Sequence, residues 1–262
     1  MKRRNDLPLR SLGSEYLADP GSGVLVKWIA GQNGSRCDLI SYKIEKSLLA
    51  QKKVDIPCTG GVYYSKRLYE SIGGLKADAL CSEPYPVLED MSLDAQRVRK
   101  IRKGCYLALP APSSLGISDY YFNDHQDFIS ALCEVYGKLM REQRDRGVKG
   151  HILISDRFSG IELEELSDPK IFFFSPSGGS KVISSILEFQ QQIAVFPEKI
   201  DILFEVMPEY EVNSITVIDP VENDYEKLLS EFDPGSISTG GYCRGCETGY
   251  WDRLKERSFV VI

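Results

Sequence analysis

Histidine is almost missing from this chain: His125 and His151 are the only two in 262 residues. A Ser-His or Cys-His catalytic pair therefore has little material to work with. Each histidine also has an ordinary structural reading, His125 in a first helical turn and His151 at the opening of a strand. Long apolar runs are missing too. Stretches such as IFFF at 171–174 fall far short of the roughly 18 residues that suggest a membrane span, so a transmembrane reading is excluded and no membrane partner is expected. Lys2, Arg3 and Arg4 are not followed by an apolar segment of signal-peptide length, so export is not expected. Positive charge is in deficit, with 32 Lys and Arg against 38 Asp and Glu. That balance argues against a protein that holds duplex nucleic acid by neutralising phosphates. Seven scattered cysteines, an odd number, read as reduced thiols in the cytoplasm rather than as a secreted disulfide framework. The sequon at Asn33 is accordingly read as unused.

What is present is the composition of an average globular protein, 42% hydrophobic and 27% charged, in a chain long enough for one large domain or two ordinary ones. Apolar runs at 24–30, 54–58, 105–109, 151–155, 170–174, 200–206, 214–219 and 259–262 read as strands. Helical stripes appear at 38–50, 62–73, 92–103, 180–194, 221–232 and around Trp251. The clearest follows Asp124, where Phe128, Leu132, Val135 and Leu139 share one face. Strands spaced by helices predict an α/β fold with a mostly parallel or mixed sheet covered by helices. A division near Gly147 suggests two α/β halves, 1–147 and 148–262, with a cleft between them.

Three places carry candidate chemistry. The first is Ser175-Pro176-Ser177-Gly178-Gly179-Ser180-Lys181, between an FFF strand and an apolar-periodic helix. Glycines that turn sharply beneath a helix N-terminus aim amide N–H groups at an anion. The hydroxyls of Ser175, Ser177 and Ser180 and the Lys181 ammonium complete such a site, with Lys181 as charge partner and candidate catalytic group. The spacing is not that of a Walker A loop. The SGG triplet resembles the SGGxDS loop of the PP-loop ATP pyrophosphatases; Lys181 and Val182 stand where that family has Asp and Ser, so its function is not carried over. The structural alternative is a tight turn whose serines cap the helix.

The second is Cys58-Thr59-Gly60-Gly61, of the same outline. A thiol at a helix N-terminus has a lowered pKa, which makes Cys58 the first choice for a reactive, catalytic cysteine, with Thr59, Gly60 and Gly61 as ligand-binding backbone. Its alternative is a buried, inert thiol. The third is Cys243-Arg244-Gly245-Cys246, a CxxC that chelates zinc or an iron-sulfur cluster from one side if other ligands join it. One CxxC is half a site, and unligated thiols or redox chemistry are its alternatives. Carboxylates at strand ends, Asp156 and Asp219, are the natural acid and base candidates. The basic run at 97–103 reads as a solvated helix face.

Three functional readings follow. The leading one is an enzyme or binding protein for a small anionic ligand, phosphorylated or not, at the Gly-Gly turns. The second is a metalloprotein using Cys243 and Cys246. The third is a non-catalytic subunit with a protein partner at the exposed Tyr-rich segments or at the acidic 198–233 stretch, which carries eleven acidic side chains against two lysines.

Overall fold

The computed structural model describes residues 3–32, 36–245 and 248–261. Eight strands run parallel: β1 (Leu9–Tyr16), β2 (Cys58–Gly60), β3 (Tyr106–Pro110), β4 (Gly150–Ile154), β5 (Ile171–Phe174), β6 (Gln192–Val195), β7 (Ser214–Ile218) and β8 (Ile237–Arg244). They pair as two four-stranded sheets, β6-β7-β8-β1 and β2-β3-β4-β5. The sheet edges meet at two seams. Between β1 and β2, Arg10 bridges Ile56 and Ser14 bridges Gly61. Between β5 and β6, the Gln190 side-chain amide accepts from the Phe173 N–H at 2.8 Å and donates to the Phe173 carbonyl at 3.0 Å. The result is a closed ring.

Each strand is followed by a helix on the outside: α1 (Leu39–Ala50), α2 (Glu89–Ile101), α3 (His125–Asp145), α4 (Gly160–Glu165), α5 (Ser180–Leu187), α6 (Ile200–Val206), α7 (Glu222–Leu228) and α8 (Tyr250–Arg257). The longest, α3, starts because the Asp124 carboxylate accepts from the N–H groups of Gln126 and Asp127. It buries Phe128, Leu132, Val135 and Leu139, as their spacing predicts.

Strand period decides what faces which way. On β4 and β5, Ile152, Ile154, Phe172 and Phe174 fill the ring with Leu12, Cys58, Ala108, Ala194, Ile218 and Tyr242. Their neighbours Leu153 and Phe173 face the helices. The expected α/β fold with parallel sheet under helices is what the structure shows. Residues 1–147 and 148–262 share one ring, since β3 pairs with β4 and β1 with β8.

Several elements differ from expectation. Residues 22–30 are a helix with no buried residue, so no core holds Val24 and Val26 in a strand. Residues 200–206 are helical because Pro197 begins a helical turn and Ile200 and Leu203, three apart, share the buried face. The end of the predicted 180–194 helix is β6, and the Gly-rich segment is β8. The glycines of β8 make room rather than turns: a Cβ on Gly241 would lie 2.4 Å from Trp251 Cζ3 on α8. In the basic run, Arg97 donates to Gln32 and Arg102 to the carbonyls of Gln51 and Val54.

His151, on the outer side of β4, is fully buried with Nε2 2.9 Å from the Gln143 side-chain oxygen. Burial, helped by the charge of Arg144, lowers its pKa from 6.5 to about 3. Between those values the unfolded chain binds a proton that the folded chain does not. Stability is therefore present above pH 6.5 and lost as pH falls towards 3. The expected share is about 1.4 kcal/mol per pH unit. Urea unfolding from pH 7 to 4 measures the slope, and His151→Gln should remove this part of it.

Candidate functional site

The C-terminal ends of all eight strands open on one side of the ring, which is where (βα)8 barrels place their chemistry. A cavity of about 660 Å³ lies there, lined by Glu15 at the end of β1, Ser114 after β3, Ser155 and Asp156 after β4, Pro176 and Ser177 after β5, and Tyr242 and Arg244 on β8. Arg244 Nε is 3.2 Å from a Glu15 carboxylate oxygen, and the guanidinium lies 4.4 Å from the centre of the Phe196 ring. Held through Nε and stacked on an aromatic face, Arg244 has no hydrogen bond from its two terminal nitrogens to another described residue.

Across the mouth, Asp156 accepts from the Ser177 N–H at 3.1 Å. Ser114 donates to Ser155, which donates to the Arg157 carbonyl. Tyr242 rises from the ring interior, edge to face with Phe174 at 5.3 Å. Burial, reinforced by the negative charges of Glu15 and Asp156, pushes its hydroxyl pKa upward. Tyr242 thus stays protonated and can donate. Asp219, at the end of β7, receives the Tyr250 hydroxyl instead.

The positions expected from sequence divide. Ser175 and Ser177 belong to the turn that borders the cavity, and Ser177 lines it. The Gly178 N–H donates to Ser175 Oγ at 3.3 Å. Gly179 caps α5, and Ser180 and Lys181 in its first turn are exposed. Lys181 lies outside the cavity lining, so the cation at the mouth is Arg244.

The Thr59-Gly60-Gly61 segment has no free amides for a ligand. The Gly60 N–H donates to the Tyr63 hydroxyl at 2.9 Å and the Gly61 N–H to the Ala108 carbonyl at 2.8 Å. Thr59 Oγ1 is 3.1 Å from the same tyrosine hydroxyl. Gly61 is glycine for contact: its φ is +120°, and a Cβ would stand 1.9 Å from the Ser14 carbonyl oxygen. Cys58 corrects the expectation of an activated thiol. It faces the ring interior with no exposure, and burial raises its pKa well above the ordinary value.

Cys243 is disulfide-bonded, so its sulfur is not a thiolate ready for zinc or an iron-sulfur cluster. Cys246 lies outside the described residues. Cys37, Cys58, Cys81, Cys105 and Cys133 are free. Among the described residues, no group of three or more His, Cys, Asp or Glu side chains is placed to hold a metal. No helix among them is long and apolar enough to cross a membrane.

Glu15, Tyr242 and Arg244 were not singled out from sequence. The signal that finds them is their place at the ends of β1 and β8, and it becomes readable only once Gly240 and Gly241 are recognised as strand residues.

The fold and the mouth define a (βα)8-barrel protein with a polar, mixed-charge pocket. No protein-family model and no curated protein sequence matches the chain. Among solved structures it is similar to a B12-independent methionine synthase from Shewanella sp. W3-18-1 in complex with selenomethionine. That match has a TM-score of 0.54 and 12% identity over 97% of this chain and 95% of that one. It is also similar to the apo homocysteine methyltransferase MmuM from Escherichia coli, with a TM-score of 0.50 and 12% identity over 97% and 96% of the two chains. At such identity the likeness is one of fold.

Proposed function

We propose that this chain is an enzyme or binding protein for a small molecule bearing both an anionic and a cationic group, of which an amino acid is the simplest case. The observation that carries this reading is the mixed charge of the mouth: one guanidinium, Arg244, stands in the same cavity as the carboxylates of Glu15 and Asp156. Arg244 receives the ligand's carboxylate through its terminal nitrogens, the geometry a planar fork favours. Asp156 faces the ligand's ammonium and is the group positioned to accept a proton from it. Tyr242, kept protonated by burial, donates to an oxygen of the ligand. Sequence predicts a small anionic ligand at Lys181; the ligand proposed here adds a cationic group, and its anionic partner is Arg244. One of the two similar barrels is a complex with selenomethionine, an amino acid.

A thermal-shift panel of the common amino acids, with their matching amines and carboxylic acids, tests the reading. At least one amino acid should raise Tm while its amine and its acid do not. Arg244→Met should then weaken that ligand about thirtyfold, or ~2 kcal/mol, at unchanged Tm of the free protein. A panel without response, or equal affinity in the variant, refutes the proposal.

A further inference from the structure

The opposite end of the ring holds a charge without a counter-charge. Arg10 on β1 is 8% exposed. Its guanidinium carbon lies 4.1 Å from the centre of the Phe172 ring and 5.8 Å from that of Tyr106. Nε has no hydrogen-bond partner. Among the described residues no acidic side chain forms an ion pair with it. Stacking on aromatic faces favours a guanidinium, yet it leaves the in-plane N–H donors unused. A lysine in such a place would shed its proton, whereas an arginine keeps its charge and needs an anion or a set of acceptors.

The surroundings do not supply them. A cavity of about 440 Å³ opens beside Arg10, where β3, β5 and β6 begin. The amides on its wall are already engaged: Gln190 with Phe173 and the Gln192 carbonyl, Gln191 with Glu211, and Asn213 with Gln191. Asp168, at the rim, accepts from the Lys170 N–H and does not reach Arg10. What remains is a buried guanidinium whose Nε has no partner among the described residues, lining a cavity whose walls include Tyr106, Phe172 and Phe189. One positive charge is balanced by one negative charge. A planar fork matches a planar carboxylate, and aromatic walls match an apolar remainder.

We propose that the floor of the barrel is a second ligand site, where Arg10 holds the carboxylate of a small monocarboxylate whose apolar part packs against Tyr106 and Phe189. The site is separate from the mouth and does not depend on what the mouth binds.

The test uses the full chain with sodium benzoate as probe and sodium chloride at equal ionic strength as control, read by isothermal titration and by Tm. Benzoate should bind wild type saturably, one per chain, and raise Tm where chloride does not. Arg10→Met, which keeps the stacked stem but removes the charge, should weaken benzoate by at least about thirtyfold. Arg244→Met should leave benzoate binding unchanged, which separates the floor from the mouth. If Arg10→Met fails to fold, the Nε–H resonance of Arg10 in wild type decides instead, since it should shift on benzoate titration with the same midpoint as the calorimetry. No saturable binding in wild type, binding that Arg10→Met retains, binding that Arg244→Met removes, or a static Nε–H resonance overturns the proposal.

Discussion

Gly61→Ala is expected to cost more than about 4 kcal/mol, or to leave no folded protein to measure, which places it among the most damaging single substitutions. The added methyl would stand 1.9 Å from the Ser14 carbonyl oxygen and 2.7 Å from the Ser14 nitrogen. These are backbone atoms of β1, not the end of a side chain that can swing away. The residue also sits at φ +120°, where a side chain itself costs about 1–3 kcal/mol. Relief requires β2 to move off β1, which gives up the Ser14 bridge at the seam that closes the ring. Urea unfolding followed by far-UV circular dichroism measures the cost. Gly179→Ala, with nothing within 4 Å of the new methyl, is the control and should stay within about 0.5 kcal/mol of wild type. Near-wild-type stability of Gly61→Ala would mean that the two strands are not in tight contact.

The second large effect is expected at Arg67. Its Nε lies 2.7 Å from Asp94, and the two side chains are 5% and 2% exposed. Tyr64 donates to the same carboxylate at 2.9 Å, Gln143 donates to Tyr64, and His151 meets Gln143, so the pair anchors a buried polar chain behind β4. Arg67→Met leaves Asp94 buried with a hydroxyl as its remaining support, and should cost about 3–5 kcal/mol at pH 7. Burial already raises the Asp94 pKa, and loss of the guanidinium raises it further. In the variant the folded state therefore binds a proton that the unfolded state releases, so stability falls as pH rises and recovers towards pH 4. The double variant Arg67→Met, Asp94→Leu should regain part of the loss, because an apolar pair replaces the buried ion pair while Asp38, which Arg67 also meets at 2.8 Å, stays without its guanidinium. A pH-independent loss of less than 1 kcal/mol in the single variant would show that Asp94 is solvated.

Much of the frame is legible in the chain. The stripe Phe128, Leu132, Val135, Leu139 behind the Asp124 cap gives α3, and the apolar runs at 151–155 and 170–174 give β4 and β5, two strands buried on both faces. Besides β6, which reads as the end of a helix, the strands that escape are β1 and β8, whose apolar pattern is interrupted. β1 turns Arg10 inward, and β8 carries Gly240 and Gly241 against Thr216 and Trp251. Neither strand shows the hydrophobic pattern that a strand is sought by, and each supplies a functional candidate at its end. The Gly-Gly turns mislead for a related reason. Glycine serves equally well to cradle an anion and to let two backbones touch, and only the partners of the N–H groups tell which. At Gly60 and Gly61 those partners are Tyr63 and Ala108. Asp156 could be picked from sequence because the strand before it is unmistakable. Arg244 could not, because the strand beneath it looked like a loop.

The Gln190 closure has a consequence for how the ring breathes. Elsewhere neighbouring strands are joined through main-chain bonds, which open only when strands part. Between β5 and β6 the join is a side-chain amide that accepts from and donates to Phe173. A rotamer change of one glutamine is a local event, whereas separating paired strands is a sub-global opening. The Phe173 amide should therefore exchange with solvent hydrogen far sooner than its neighbours on β4. The slot that opens lies against the floor cavity, since Gln190 is part of that cavity's wall. Arg10 and Phe172 line that same cavity, so loosening of this one glutamine bears on the space around them.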